Sequence, residues 1–453
     1  MPMILIPRLK HFGAVLSLIR YRHLTAIICF MVVGLAASVS KSQDYGTNAA
    51  TLEAEATKAY QAKDYARFLT YEKRVLELQP TDARLVYNVA CGEALTGNAA
   101  EAVRRLDQLI DRKLDLGAEN DGDFASIRKT PEWTAFEKKL SILRKPVIHS
   151  TVAFRLDDPD LVATGIAVDS RTGDTYIASV RERKIVRRTR AGVVSDFITE
   201  GQDGFLAGAS LAIDAPGHLL MASTAAVPFM TGYRKEDFGT SGLFAFDLKS
   251  GKLVRKVMLP PNGKLRFLNA LAVDREGTVY VSDSGQSGIY RLRRGAEQLE
   301  VFIQPSVFRA AQGLALSDDE KTLYVADYSN GVWALDIASK ERRHLDAPAD
   351  AWLTGLDGLS RVGRDLIAVQ IGVGPQRVLR LRLESPAKQA APRIAKVELL
   401  EMNHPDYDGP IQGVVANGAF FYVANSQLSL ANPQTGAFAT DRARPTVVLR
   451  LPL

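Results

Sequence analysis

Cysteine is scarce in this chain, with two residues in 453. Cys29 lies in an apolar N-terminal stretch, so removal of that stretch would leave Cys91 as the single thiol and exclude an internal disulfide. Cys91 stands among Val89, Ala90 and Ala94 in a predicted helix. That setting predicts a small buried apolar residue rather than a nucleophile.

Several catalytic and binding signatures are also missing. The sequence has no G-x-S-x-G motif, which excludes the nucleophile elbow of α/β-hydrolases. It has no glycine-rich phosphate-binding motif of the P-loop or dinucleotide type. The formal net charge is +6, but no basic block is interleaved with aromatic residues, so we expect no nucleic-acid partner.

The apolar run near the N-terminus is short. It covers residues 24–37, which is 14 residues, and follows several basic residues. A membrane span needs about 20 apolar residues, whereas this length is typical of a signal-peptide core. We therefore predict a signal peptide or membrane anchor at residues 1–40 and a periplasmic, secreted or inner-membrane-anchored bacterial protein. Any membrane contact is expected only through this segment.

Residues 51–146 show the apolar periodicity of helices. Residues 64–80 resemble the second helix of a tetratricopeptide repeat, and residues 83–115 resemble a further repeat with Gly97 in its turn. Trp133 and Phe136 are predicted anchors of a capping helix. Two repeats and a cap are fewer than an independent solenoid usually needs. This helical domain is expected to pack on the rest of the chain or to bind a partner helix.

From residue 151 onward the pattern changes to short strand-forming runs joined by turns. A three-residue motif recurs six times at spacings of 43 to 60 residues. It consists of a polar or small residue, a small residue and an apolar residue, and a second strand-forming run follows each copy. The six copies begin at Thr164, Ala209, Asn269, Gln312, Asp357 and Gln412. Repeats of about 40–50 residues with four strands each are typical of β-propellers.

Ring closure is predicted as well. The last copy has three strands, whereas strand-forming residues 151–156 precede the first copy without a blade of their own. We expect this early strand to complete the last blade, because an open sheet edge is a liability. The predicted fold class is mainly β, a six-bladed β-propeller over residues 151–453 after a helical domain over residues 51–146. A solenoid or two stacked sandwiches is the alternative.

The first residue of each inner strand is expected to lie at one end of the central tunnel. Asn269, Gln312, Asp357 and Gln412 carry side-chain oxygens at this position, and Asp357 adds a negative charge. Such oxygens suit a hard divalent cation, which can polarise a carbonyl and acidify water. In the alternative interpretation these side chains hydrogen-bond one another and ordered water.

The motifs at Asn269 and Asp357, with the LYVAD run at residues 323–327 between them, resemble the senescence marker protein (regucalcin)/gluconolactonase-like family. The resemblance implies hydrolysis of a lactone or ester that depends on Ca²⁺ or Zn²⁺. It implies Asp357 and Asn269 as catalytic residues and Asn269, Asp357 and Gln312 as metal ligands. Thr164 stands where the family has a Glu, and Thr cannot replace a carboxylate. Asp406 or Asp408 could substitute for it.

Long segments at residues 224–241 and 401–410 mark the expected functional face. The predicted substrate-binding residues are Gln312, Gln370, Gln412, Tyr233 and His404. The expected partner is a small lactone or ester. The alternative function is a non-catalytic propeller, similar to NHL-repeat modules, that binds a protein or glycan with the helical domain as a second contact. A metal-free relative resembling strictosidine synthase-like proteins is a third hypothesis.

Overall fold

The computed structural model describes residues 41–384 and 392–453. The predicted signal or anchor at residues 1–40 therefore lies outside the described residues. Within the described ranges, five α-helices precede 24 strands that form six four-stranded sheets. None of these helices is long and apolar enough to cross a membrane.

The helical domain begins the described chain. Its helices are α1 Lys41–Gln61, α2 Tyr65–Leu78, α3 Ala83–Leu95, α4 Ala99–Asp111 and α5 Pro131–Leu143. Side chains cap the free backbone N–H groups of the first turns: Asp64 accepts from Arg67 N before α2, and Thr130 accepts from Trp133 N before α5. The predicted anchors Trp133 and Phe136 are both buried, which confirms that prediction.

The remaining chain forms the predicted six-bladed β-propeller, because each sheet is a meander of consecutive strands. Blades one to three contain β2 Ala163–Val168, β3 Thr175–Ser179, β4 Ile185–Arg188, β5 Val194–Ile198; β6 Ala207–Asp214, β7 Leu219–Ala225, β8 Ser241–Asp247, β9 Leu253–Leu259; β10 Leu268–Val273, β11 Val279–Asp283, β12 Gly288–Leu292 and β13 Glu300–Ile303. Blades four to six contain β14 Ala311–Leu316, β15 Thr322–Asp327, β16 Gly331–Asp336, β17 Arg342–His344; β18 Leu356–Val362, β19 Asp365–Gln370, β20 Arg377–Glu384, β21 Arg393–Met402; β22 Gly413–Ala416, β23 Ala419–Val423, β24 Thr446–Pro452 and β1 Thr151–Leu156.

The ring closes as predicted. Strand β1 pairs antiparallel with β24, with Thr151 opposite Arg450 and Leu156 opposite Thr446. The outermost strand of blade six therefore comes from the opposite end of the propeller sequence. This pairing removes the open edge that β24 would otherwise present.

Apolar side chains fill the spaces between neighbouring blades. Each of the six seams has its own buried cluster, including the seam between the last blade and the first. At that seam Ile166 and Ile177 of blade one pack with Val423 and Val448 of blade six. Each sheet thus buries both faces against copies of itself.

The helical domain packs on blade five. Val373, in the loop after β19, and Met402, at the end of β21, are buried in the same apolar cluster as the helices. Three backbone hydrogen bonds join the units. Asp115 N donates to Gly374 O at 2.6 Å, and Val147 and Met402 exchange a pair of N–H to carbonyl bonds at 2.9 and 3.0 Å. Packing on the propeller is thus one role of the helices, and a partner helix stays a prediction.

Removal of residues 41–146 should make the ring less stable and less soluble. Val373 and Met402 would then face water, and burial of an apolar side chain of this size contributes about 1.5–3 kcal/mol. Urea unfolding and light scattering measure the two effects. The same truncation carrying Val373→Ser and Met402→Ser should recover solubility. A truncated ring that stays monomeric and as stable as the whole chain would contradict this expectation.

Candidate functional site

Five of the six inner strands carry a β-bulge at the position that the sequence motif marks. In blade five, Leu356 and Gly358 pair with consecutive residues of β19, so Asp357 between them has no partner in the ladder. Equivalent irregularities fall at the strand starts that carry Thr164, Ala209, Asn269 and Gln312. Bulges re-aim the extra residue and are frequent beside functional sites.

Neighbouring strand starts lie very close together. A methyl group at Gly313 would lie 2.9 Å from the carbonyl oxygen of Asp357, and one at Gly358 would lie 2.5 Å from Gln412 Cα. The second position of the repeated motif is therefore a small residue in these blades, because a larger side chain would clash with the backbone of the next inner strand. We call the end of the tunnel formed by the six strand starts the mouth.

Polar side chains meet at the mouth between blades three and four. Asn269 Nδ2 donates to Gln312 Oε1 at 2.5 Å. In blade one, by contrast, the Thr164 hydroxyl donates to the carbonyl oxygen of Gly208 at 2.6 Å. The Thr164 hydroxyl is therefore bonded to backbone and does not take the place of the Glu carboxylate that the resemblance implies at this position.

Asp357 has no such partner. Its carboxylate makes neither a hydrogen bond nor an ion pair with any residue of the two described ranges. The side chain is half-buried, and its partial removal from water raises the pKa of Asp357 to about 6. Tyr328 of blade four lies close enough to interact with this charge, since burial and then Asp357 raise the pKa of the Tyr328 phenol. A bound cation or polar ligand would account for such a carboxylate.

Asp406 and Asp408, the two acids that could replace the family Glu, are bonded elsewhere. Asp406 Oδ2 lies 3.2 Å from Arg155 Nη2. Asp408 Oδ1 accepts from Ser429 Oγ at 3.2 Å, and its Oδ2 lies 3.5 Å from Arg444 Nη2. Neither acid joins Asp357 in this conformation.

Gln370 makes framework hydrogen bonds, and its substrate contact stays a prediction. Its fully buried side chain donates from Nε2 to the carbonyl oxygens of Trp352 and Thr354, at 2.8 and 2.7 Å. Its Oε1 accepts from Arg377 Nε at 2.5 Å. Other polar residues at the ends of second strands fix the loops of their blades in the same way, namely Asp283, Asp327 and Asn425.

His404 lies at the periphery, between blades five and six. Its Nε2 is 3.9 Å from Oε1 of Glu401, a fully buried residue of the outermost strand β21. Glu401 also accepts from Ser150 Oγ at 2.6 Å and Tyr422 OH at 2.9 Å. The His404 Nδ1 accepts from Asp406 N at 3.1 Å. His404 thus lies beside an outermost strand, and its substrate contact stays a prediction.

Two long loops pack together on the face that carries the mouth. Residues 226–240 of blade two and residues 424–445 of blade six share one apolar cluster, in which Phe229 and Ala431 are buried. Tyr233 is half-buried at the edge of this cluster. We call these two loops the roof. The contribution of blade six to it was not predicted.

A second group of potential metal ligands lies in the helical domain. The ligand atoms of Cys91, Asp121 and Asp123 all lie within 4.8 Å of one another. Tyr87 OH donates to Asp121 Oδ2 and Tyr60 OH donates to Asp123 Oδ1, both at 2.9 Å. Burial, followed by the nearby carboxylates, raises the pKa of the Cys91 thiol. Sequence reasoning anticipated a buried Cys91 but not this triad, because helix packing rather than any local motif brings the three together.

Neither a family model nor a curated protein matches the sequence. Among solved structures, a luciferin-regenerating enzyme is 14% identical over 68% of this chain and 96% of that chain, with a TM-score of 0.47. A gluconolactonase from Xanthomonas campestris is 16% identical over 68% of this chain and 95% of that chain, with a TM-score of 0.45. A virginiamycin B lyase from Staphylococcus aureus is 13% identical over 59% of this chain and 80% of that chain, with a TM-score of 0.41. Since these TM-scores are below 0.5, the chemistry is argued from this chain's own residues, and the tetratricopeptide-like character of the helices stays a prediction.

Proposed function

We propose that this protein hydrolyses a small lactone or ester at the mouth with the help of a bound divalent cation. The observation that carries the proposal is the unpartnered Asp357 carboxylate, on the strand start next to the one that carries the Asn269–Gln312 amide pair. The Asp357 side chain is half-buried, and a carboxylate held away from bulk water is stabilised by a charged or hydrogen-bonding partner. A cation and a polar substrate would supply one.

The residues at the mouth fit an oxygen-binding cation. Asp357 would offer its carboxylate, and Asn269 and Gln312 their amide oxygens. None of the six strand starts is a His or Cys, so the donor set suits Ca²⁺ better than Zn²⁺. When bound, such an ion polarises a carbonyl oxygen and lowers the pKa of water. With a single carboxylate, the affinity should be modest.

The chain's own groups can perform the remaining steps. A carboxyl group whose pKa is about 6 is largely ionised at neutral pH. Asp357 would therefore hold the cation as a carboxylate and accept a hydrogen bond from the water that attacks the substrate carbonyl. Gln312 Oε1 accepts from Asn269 Nδ2 with one lone pair, which leaves the second lone pair for the cation and the Nε2 hydrogens to donate to a substrate oxygen. The roof, with Tyr233 at its edge, would exclude bulk water and contact the ligand.

Metal analysis of the purified protein tests the cation. We expect about one Ca²⁺ per chain after equilibration with Ca²⁺, because the orphan carboxylate then gains its counter-charge. Asp357→Asn should lose the ion. Cys91→Ala, which removes the thiol of the helical-domain triad, should keep it.

The opposite pattern, with loss in Cys91→Ala and retention in Asp357→Asn, would assign the ion to the helical domain. A wild-type protein that binds no Ca²⁺ and shows no rise in melting temperature with Ca²⁺ would rule out the cation at the mouth.

The second candidate is the non-catalytic propeller that binds a protein or glycan. The internal bonds from Asn269 to Gln312 and from Thr164 to Gly208 favour it, because they satisfy polar groups without a ligand. A panel of lactones and aryl esters, assayed with and without Ca²⁺, separates the two functions. Turnover that is absent in Asp357→Asn supports the hydrolase. No turnover by the Ca²⁺-loaded wild type supports the binding module.

We also propose that the protein is exported, on the basis of the apolar run at residues 24–37. Fractionation of cells that express the full chain, with N-terminal sequencing of the product, tests this. A full-length protein in the cytosol would contradict it.

A further inference from the structure

The helical domain is attached close to the mouth. One of its contacts on blade five is the loop at residues 371–376, which joins β19 to β20 on the same face as the strand starts. Within this loop, Val373 enters the helical core and Gly374 O accepts from Asp115 N at 2.6 Å. The docked helices are therefore next to the segment that leads into Asp357.

Arg377 joins the two units through an unusual buried cation. Only 5% of the surface of Arg377 is exposed. Among the residues the structure describes, its guanidinium has no carboxylate partner. Burial lowers the pKa of Arg377 to about 10. Its Nη1 donates to Lys113 O, just beyond the C-terminal end of α4, at 2.8 Å, and its Nε donates to Gln370 Oε1 at 2.5 Å. A buried guanidinium is costly without compensation, and here the compensation is an oxygen from each unit.

Gln370 continues this connection toward the mouth. Its Nε2 donates to the carbonyl oxygens of Trp352 and Thr354, which precede Asp357 by five and three residues. The next residue is fixed from blade four, because Gly355 N donates to Tyr328 O at 2.5 Å. An unbroken series of hydrogen bonds thus runs from α4 to the start of β18.

We propose that Arg377 is a positioning residue through which the helical domain holds the Asp357 segment in place at the mouth. The coupling is mechanical, since the charge of Arg377 does not act on Asp357 directly. Tyr328 is the ionisable group that interacts with Asp357 across the seam. A ligand or partner that loosened the helices would therefore change the setting of Asp357. The effect on activity rests on the proposed hydrolase, but the structural coupling does not.

Hydrogen exchange of the full-length protein tests the coupling. Arg377→Met removes both donors and should speed exchange of the amides at residues 352–357 by about tenfold or more, since hydrogen bonds to charged groups are lost. Arg380→Met, on the same strand but paired with Asp365 at 2.9 Å, is the matched control and should leave exchange at residues 352–357 unchanged.

A second variant keeps the test decisive if Arg377→Met does not fold. Gln370→Glu retains an acceptor for Arg377, so the helices stay docked, but it removes the donor to Trp352 and Thr354. Faster exchange at residues 352–357 with unchanged exchange at the Asp115–Gly374 contact supports the proposal. Unchanged exchange at residues 352–357 in the folded variants would overturn it, whether or not the protein turns out to be a hydrolase.

Discussion

Asp357→Asn should stabilise the metal-free protein by about 3 kcal/mol at pH 8 and should leave its stability unchanged at pH 4. The amide has nearly the shape of the carboxyl group but carries no charge. The folded-state pKa of Asp357 is raised from an ordinary 3.8 to about 6. Between these values the folded protein retains a proton that the unfolded chain releases. Stability therefore falls as the pH rises from about 4 to about 6, and the full cost remains above that range.

Denaturant unfolding in EGTA at several pH values measures this difference. Asp365→Asn is the control within the same blade. Although burial acts in the opposite direction, hydrogen bonds from Arg382 and Arg380 hold the pKa of Asp365 below its ordinary value. That variant should therefore lose stability at pH 8. Equal stability of wild type and Asp357→Asn at pH 8 would show that the carboxylate has a partner or is well hydrated.

Calcium should reverse the effect in the wild type alone. A ligand that binds only the folded state stabilises it by an amount that grows with ligand concentration. Titration with Ca²⁺ at pH 8 should raise the melting temperature of the wild type and leave that of Asp357→Asn unchanged. A similar rise in both would place the binding away from the mouth.

Gly358→Ala should destabilise the propeller by about 3 kcal/mol or more, at the upper end of the range for overpacked cores. The added methyl group would lie 2.5 Å from Gln412 Cα and 3.0 Å from Gln412 Cβ. Backbone on both sides must move apart, so the cost cannot be relieved by rotating a side chain. The same movement would separate Asp357 from the blade-six edge of the mouth, and Ca²⁺ binding should weaken with it.

Gly122→Ala is the matched substitution, because no heavy atom lies within 4 Å of its added methyl group. Urea unfolding of both variants should show a large decrease in the midpoint for Gly358→Ala and little change for Gly122→Ala. A Gly358→Ala protein as stable as the wild type would mean that the blade-five and blade-six inner strands separate at little cost.

The ring could be predicted because its information is local and repeated. The sequence of each blade contains a recognisable first strand, turn and second strand. The extra strand at residues 151–156 can complete only the last blade, which is one strand short. The bulges could not be predicted, since they depend on how two strands register. The framework hydrogen bonds of Gln370 were missed as well. A polar residue recurs at the ends of the second strands, and this repetition could have indicated that such residues bond to the loops of their own blades.

Contacts between distant segments were the least predictable. His404 lies at the periphery because it follows the end of β21, the outermost strand of blade five. The repeated motif does not indicate where that strand ends. The convergence of Cys91 with Asp121 and Asp123 follows from the packing of helices. Asp357 and Asn269 could be placed at one end of the tunnel because that placement needs only the symmetry of the ring.

The bulges have a consequence for how this propeller can change. Asp357 and its counterparts stand outside the ladder, whereas their flanking residues hold the strands together. Substitution at a bulged position should therefore alter the polarity of the tunnel entrance with little penalty to pairing. The scaffold separates the residues that determine folding from those free to acquire new specificity, and a handful of exchanges at these positions could retune what the entrance accepts.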